Sequence, residues 1–261
     1  MTGSFARSAG IVLLFLLLGD RSVLNAQGTA GSGALLETRS LVDIPTAGML
    51  PHGDFALGME FFQEGGMLFS GSFGVTDHFM LGLSYGGTGL LGDAHPQWNP
   101  APGVLFRVRI FDETISLPAL VLGFESQGKE PYVTDPGRYT IKSPGFYLVV
   151  SKNYEAYGTL SFHGGVNYSL EHADGDKDPD LFAGAEKSVG RFLSFLAEYN
   201  LGWDDSDRGA RGRGRGYLNL ALAVSAGNGL TLRFSLKDLL HNQPQVTAGN
   251  RVFSVDFVNP I

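Results

Sequence analysis

From Leu160 to Glu171 the chain sorts its side chains by parity. Leu160, Phe162, Val166, Tyr168 and Leu170 fall on one side of a pleated strand, and Ser161, His163, Gly165, Asn167, Ser169 and Glu171 on the other. A strand has a period of two, so such a stretch has one oily face and one small or polar face. What the oily face meets decides the fold.

The same sorting recurs along most of the chain. Phe79, Leu81, Leu83 and Tyr85 oppose Gly82, Ser84 and Gly86, and Val104, Phe106, Val108 and Ile110 oppose Arg107 and Arg109. Leu193, Phe195, Ala197 and Tyr199 oppose Ser194, Glu198 and Asn200, while Leu218, Leu220 and Leu222 oppose Asn219 and Ala221. Leu230, Leu232, Phe234 and Leu236 oppose Thr231, Arg233, Ser235 and Lys237, and Phe253, Val255 and Phe257 oppose Ser254 and Asp256. The pattern predicts twelve strands, at 54–62, 66–74, 79–86, 101–111, 114–125, 139–151, 157–170, 180–188, 191–203, 214–225, 229–239 and 250–258. No helical window competes; the best, at 235–242, is short and follows directly on a strand pattern.

Tight turns alternate with long links. Turns at Val75, Asp112, Ser188 and Ala226, the last containing the hairpin pair Asn228-Gly229, are interleaved with Gly-, Pro- and Asp-rich links at 87–100, 126–138, 172–179, 204–213 and 240–249. Short turns at one end and long loops at the other are the pattern of an outer-membrane barrel, and an even strand number returns both barrel ends to the short-turn side.

A secreted β-sandwich also alternates, with its apolar face packed inward. Three features favour the barrel. The runs match the roughly 9–11 residues that cross a bilayer at a tilt. The polar face is mostly Gly, Ser, Ala and Asn, suited to a narrow interior, and only 17% of residues are charged where a soluble domain averages about 25%. Tyr85, Tyr168, Tyr199 and Trp203 sit near strand ends, as an interfacial belt does. Arg or Lys on the lipid face costs about 2–4 kcal/mol at mid-bilayer, so Arg107, Arg109 and Arg233 are expected inside. Hydrocarbon offers no partner for an open sheet edge, so the sheet must close. The expectation is an all-β chain, a single antiparallel up-and-down transmembrane barrel of about twelve strands.

The first residues read differently. Arg7 precedes the apolar run Ile11–Leu18, too short to span a bilayer, and a small residue at Ala26 offers a cleavage site. Residues 1–26 are expected to be a secretory signal peptide, 27–53 a flexible tether followed by an irregular lead-in from Leu41, and 54–261 the barrel. The chain has no cysteine, which excludes disulfides, thiolate metal sites and thiol catalysis. A net charge of -7 argues against nucleic acid.

The inward face predicts a polar lumen network of Glu60, Arg107, Arg109, Glu125, His163, Asn167, Glu186, Glu198, Asn219, Arg233, Lys237 and Asp256, with Arg233 and Asp256 close enough on neighbouring strands to pair. It reads either as a polar conduit or as salt-bridged filling of a small lumen. Ser161, His163 and Asn167 raise a hydrolase reading, but they point to the lumen rather than to lipid. Asp174, Asp176, Asp178 and Asp180 resemble a calcium loop without the central Gly and closing Glu of an EF-hand. Arg208, Arg211, Arg213 and Arg215, on a glycine-rich loop, suit contact with surface anions such as lipopolysaccharide. No catalytic, cofactor or metal site is predicted.

Two stretches carry a family resemblance. "LVDIPTAGMLPHGDFALGMEFF", with its "IPTA" lead-in, and "FGVTDHFMLGLSY" resemble the YjbH-like outer-membrane β-barrel family over Leu41 to Tyr85. The resemblance implies a non-enzymatic barrel tied to exopolysaccharide production or export, with no catalytic residues to carry over. The function expected is therefore export or surface handling of polysaccharide, or a narrow solute channel. Outer-membrane lipids, lipopolysaccharide and the assembly machinery are the expected partners. A lipid-modifying hydrolase and a secreted soluble sandwich are the alternatives.

Overall fold

The computed structural model describes residues 28–206, 210–243 and 250–260. The expected signal peptide lies outside them. Twelve strands close on themselves: β1 (Asp54–Phe62), β2 (Gly66–Thr76), β3 (Phe79–Thr88), β5 (Gly103–Phe111), β6 (Ala119–Glu125), β9 (Gly145–Glu155), β10 (Thr159–Tyr168), β11 (Asp180–Val189), β12 (Leu193–Asn200), β13 (Tyr217–Gly227), β14 (Leu230–Lys237) and β15 (Asn250–Pro260). Every neighbouring pair is antiparallel, and β1 pairs with both β2 and β15, so no edge is left. The two-residue β4 (Gln97–Trp98) extends β3, and β7 (Lys129–Val133) and β8 (Arg138–Ile141) form a separate hairpin. The closed cylinder overturns the soluble-sandwich alternative.

The parity read from the sequence is the parity of the wall. Leu81, Leu83, Leu122, Leu148, Phe162, Phe195, Leu220 and Phe234 project outward and are exposed, while Arg107, Glu198, Asn219, Thr231 and Lys237 are buried. A closed barrel that exposes its apolar face and buries its charges is a transmembrane β-barrel, because that exterior suits hydrocarbon and not water. Tyr85 and Trp98 stack at 5.5 Å on the long-loop rim, which also carries exposed Tyr168, Tyr199 and Trp203.

Most strands start within a few residues of where the alternation predicts, and two, β6 and β9, start well beyond it. Pro118 denies β6 a ladder hydrogen bond, so β6 begins at Ala119 and residues 112–118 form a turn closed by Thr114 N–H to Leu117 O at 2.9 Å. Residues 139–141 belong to the β7–β8 hairpin, and β9 begins only at Gly145, whose φ of 62° and close approach to the Tyr168 carbonyl admit no side chain.

The largest departure precedes the wall. Most of residues 28–50, expected to be a tether and a lead-in, lies inside the cylinder, with Leu35 and Glu37 exposed. Leu41, Ile44, Ala47 and Leu50 are buried, and the segment folds back on itself through the Ser40–Pro45 bridge and Leu41 N–H to Ile44 O at 3.1 Å. It rises from the short-turn end, where Ala30 meets Ser225, turns near Glu198, and descends to β1. Small inward residues make the room: a Cβ on Gly184 would stand 2.3 Å from the Leu41 Cδ1. The small polar face marks a lumen filled by chain.

Candidate functional site

A segment without regular structure must find partners for its backbone in the wall. Glu198, projecting inward from β12, accepts hydrogen bonds from three successive amides: Val42 at 2.8 Å, Asp43 at 2.9 Å and Ile44 at 3.2 Å. Asn219 on β13 donates to the same carboxylate at 2.7 Å and to Asp43 at 3.2 Å. From the opposite wall Arg107 reaches the carbonyls of Arg39 at 2.7 Å and Gly48 at 3.1 Å. Arg109 donates to Ala47 O at 2.7 Å and pairs with Glu37. Wall hydroxyls hold the rest: Ser225 to the Ala30 amide at 3.0 Å, Ser194 to the Gly31 amide at 2.9 Å and Ser151 to the Ala47 amide at 2.8 Å. One buried anion thus grips the plug's donors and two cations its acceptors, and each such charge-assisted bond is stronger than a neutral one.

The long-loop end is closed by a second polar assembly. Lys237 sits between Asp43 and Glu130, each at 2.8 Å, which ties the plug to the β7–β8 hairpin; Lys129 of the same hairpin meets Glu60 at 3.5 Å. Above them Arg138 contacts Asp174 and Asp205, both at 2.6 Å, and Lys142 contacts Asp174 at 2.9 Å. The Asp204 carboxyl, on the short helical turn Trp203–Asp205, is pushed up to about 7, by burial first and then by neighbouring Asp180.

The acidic loop is therefore not arranged for calcium. Asp174 is committed to Arg138 and Lys142, Asp176 accepts from the Ser206 amide at 3.0 Å, and Asp180 accepts from the Trp203 amide at 3.0 Å. Of the arginine-rich loop, Arg208 lies outside the described residues. Arg213 and Arg215 are exposed on the long-loop rim, while the Arg211 amide is held by Asp205 at 2.8 Å.

Cavities remain around the plug. The first, about 130 Å³, is lined by Arg39, Glu60, Arg107, Glu125, Arg233 and Asp256. Arg233 and Asp256 are not an ion pair: Asp256 stands opposite Thr231 and Arg233 opposite Ser254. The second, about 350 Å³, lies towards the short-turn end and holds His163 and Glu186 on its wall. The third, about 40 Å³, lies under the long loops beside Asn167, which donates to Pro144 O at 3.2 Å. His163 Nδ1 is bonded to Ser151 Oγ at 2.7 Å, and Ser161 donates instead to Asn153 Oδ1 at 2.5 Å, so Ser161, His163 and Asn167 do not form a triad.

Sequence reasoning missed Asp43, Glu130, Arg138 and Lys142. The first lay in a stretch expected to be irregular, Glu130 and Arg138 in an expected long link, and Lys142 in an expected strand, 139–151. Asp135-Pro136-Gly137 between Tyr132 and Tyr139 is a turn signal flanked by strand-forming residues and marks the hairpin that carries Glu130 and Arg138, with Lys142 just after it.

Fold and site define a transmembrane β-barrel whose lumen is plugged by its own N-terminal segment. No family model matches the chain, and no curated protein does. Among solved structures it is similar to a KdgM porin, at 10% identity and a TM-score of 0.49, covering 80% of this chain and 99% of that one. It is also similar to a KdgM porin in complex with disordered oligogalacturonate, at 9% identity and a TM-score of 0.47, covering 78% and 98%.

Proposed function

We propose that the chain is a non-enzymatic outer-membrane barrel acting as a narrow channel for small polar solutes, gated by its luminal segment 28–50. One observation carries this reading: the segment is tied to a closed, charged wall by polar contacts that water can replace. Each such contact contributes about 0.5–3 kcal/mol net, and the strand ladder of the wall takes no part in them, so they can be broken without unfolding the wall. The long loops then face outward and the short turns face the periplasm.

The test exploits the cysteine-free chain. Thr29 and Thr231 touch through their hydroxyls at 3.2 Å, so Thr29→Cys/Thr231→Cys can lock the plug to β14. In planar bilayers the oxidised form is expected to be silent and the reduced form to conduct. Silence in both states would overturn the channel.

Export or surface handling of polysaccharide is the second reading, and the "IPTA" stretch favours it. Ile44 to Ala47 forms the descending turn of the plug, with the Thr46 amide on Arg39 O at 3.1 Å. The likeness to the YjbH-like family thus falls on the plug and the strands it leads into. Loss of capsule or matrix polysaccharide on deleting the gene, restored by the intact chain but not by the locked one, tests this reading.

A further inference from the structure

The cavity towards the short-turn end has a charge left over. Its wall carries Glu37, Glu113 and Glu186 against a single cation, Arg109. Arg109 is committed to Glu37, and Glu113 to Lys152 at 3.0 Å. Glu186, inward from β11 and only 9% exposed, has no hydrogen bond or ion pair among the described residues. His163 is equally enclosed, and its Nε2 has no partner. Ser161 stands directly opposite Glu186 on β10, and Ser188 lies two residues along β11, so hydroxyls flank the carboxylate.

An inward carboxylate with no protein partner attracts a counter-charge in a confined space, and the Glu186 oxygens keep contact with the cavity. The volume of about 350 Å³ falls at the lower end of small-ligand pockets, which run about 300–1,000 Å³. Leu35 and Glu37 on the rim are exposed, so the space is open to solvent on that side.

We propose that this cavity binds a small hydroxylated primary amine, its ammonium on Glu186 and its hydroxyls among Ser161, Ser188 and Asn153. Leu36, Ala47 and Ala119 line the cavity and supply the apolar surface for the ligand's carbon skeleton. The site does not depend on whether the lumen conducts.

Calorimetry on the folded barrel in detergent, with glucosamine, N-acetylglucosamine and glucose as probes, tests it. Glucosamine is expected to bind, and N-acetylglucosamine and glucose, which lack the ammonium, at least tenfold more weakly. Glu186→Gln should weaken glucosamine at least tenfold while heat-modifiable migration on a gel shows the barrel intact. The comparison of the three sugars needs no variant, so a misfolded variant would not spare the proposal. Equal binding of glucosamine and N-acetylglucosamine, no binding of glucosamine, or an unchanged affinity in folded Glu186→Gln would each overturn it.

Discussion

Replacing Glu198 by alanine strikes the plug at the point where the wall holds it hardest. The carboxylate accepts from the amides of Val42, Asp43 and Ile44, and the segment offers these three donors no other acceptor within the turn except through water. Hydrogen bonds to a charged group contribute about 1.5–3 kcal/mol each. Water enters the vacated space and recovers part of that, so about 1 kcal/mol per amide, about 3 kcal/mol in all, is the expected loss. At tenfold per 1.4 kcal/mol this raises the unseated population of the plug about 150-fold. The barrel ladder is untouched, because Glu198 bonds through its side chain and its backbone pairs as before with Gly184 and Asn219. A single cysteine at Ala47, now 1% exposed, reads the population through its rate of maleimide labelling. The Glu198→Ala background should label about two orders of magnitude faster. Glu198→Gln, which keeps one acceptor oxygen, should fall between. An unchanged rate in a barrel that still migrates as folded would refute the assignment of Glu198 as the anchor.

Further outcomes follow from the same geometry. Arg107→Ala removes the donors to Arg39 O and Gly48 O and should also speed labelling at position 47, with Arg107→Lys restoring part of the protection. Arg138→Ala leaves Asp205 without its buried cation and Asp174 with Lys142 alone, and should destabilise the long-loop cap by about 3–5 kcal/mol, read as faster proteolysis of the loops at unchanged barrel stability. Asp204 holds its proton more tightly folded than unfolded, so its contribution is full below about 4 and is lost as the pH rises through about 7; loop proteolysis should quicken over that window and become flat above it, and Asp204→Asn should remove the dependence. Leu148→Arg, on the outer face between exposed Leu122 and Val166, should cost about 2–4 kcal/mol in vesicle unfolding.

The wall was legible because its signal is local. Parity needs only neighbouring residues, and inward Arg107, Arg233 and Lys237 follow from the cost of a charge in lipid. The plug was not, since an irregular segment leaves no period to read. Its trace is indirect: Leu41, Val42, Ile44, Met49 and Leu50 are apolar residues in a stretch with no strand to bury them, and the inward glycines and alanines leave unfilled volume. Partners across the lumen were also out of reach. Arg233 and Asp256 are on adjacent strands, but the two-residue offset of the register separates them, while Asp43 and Lys237 meet across 194 positions of sequence, the difference of their numbers. The β6 start was obscured because "ISLPALVLGF" is apolar on both parities, so only Pro118 marks the boundary.

Disulfide trapping tests the occupied lumen most directly. The Ala47 amide stands 2.8 Å from the Ser151 hydroxyl, and Cβ atoms about 4 Å apart suit a disulfide, so cysteines at both positions of the otherwise cysteine-free chain are within reach of each other. The plugged barrel predicts that Ala47→Cys/Ser151→Cys cross-links in intact membranes under mild oxidation, giving a compact species on a denaturing gel that reduction abolishes. Two free, fully alkylated cysteines in a folded barrel would contradict it.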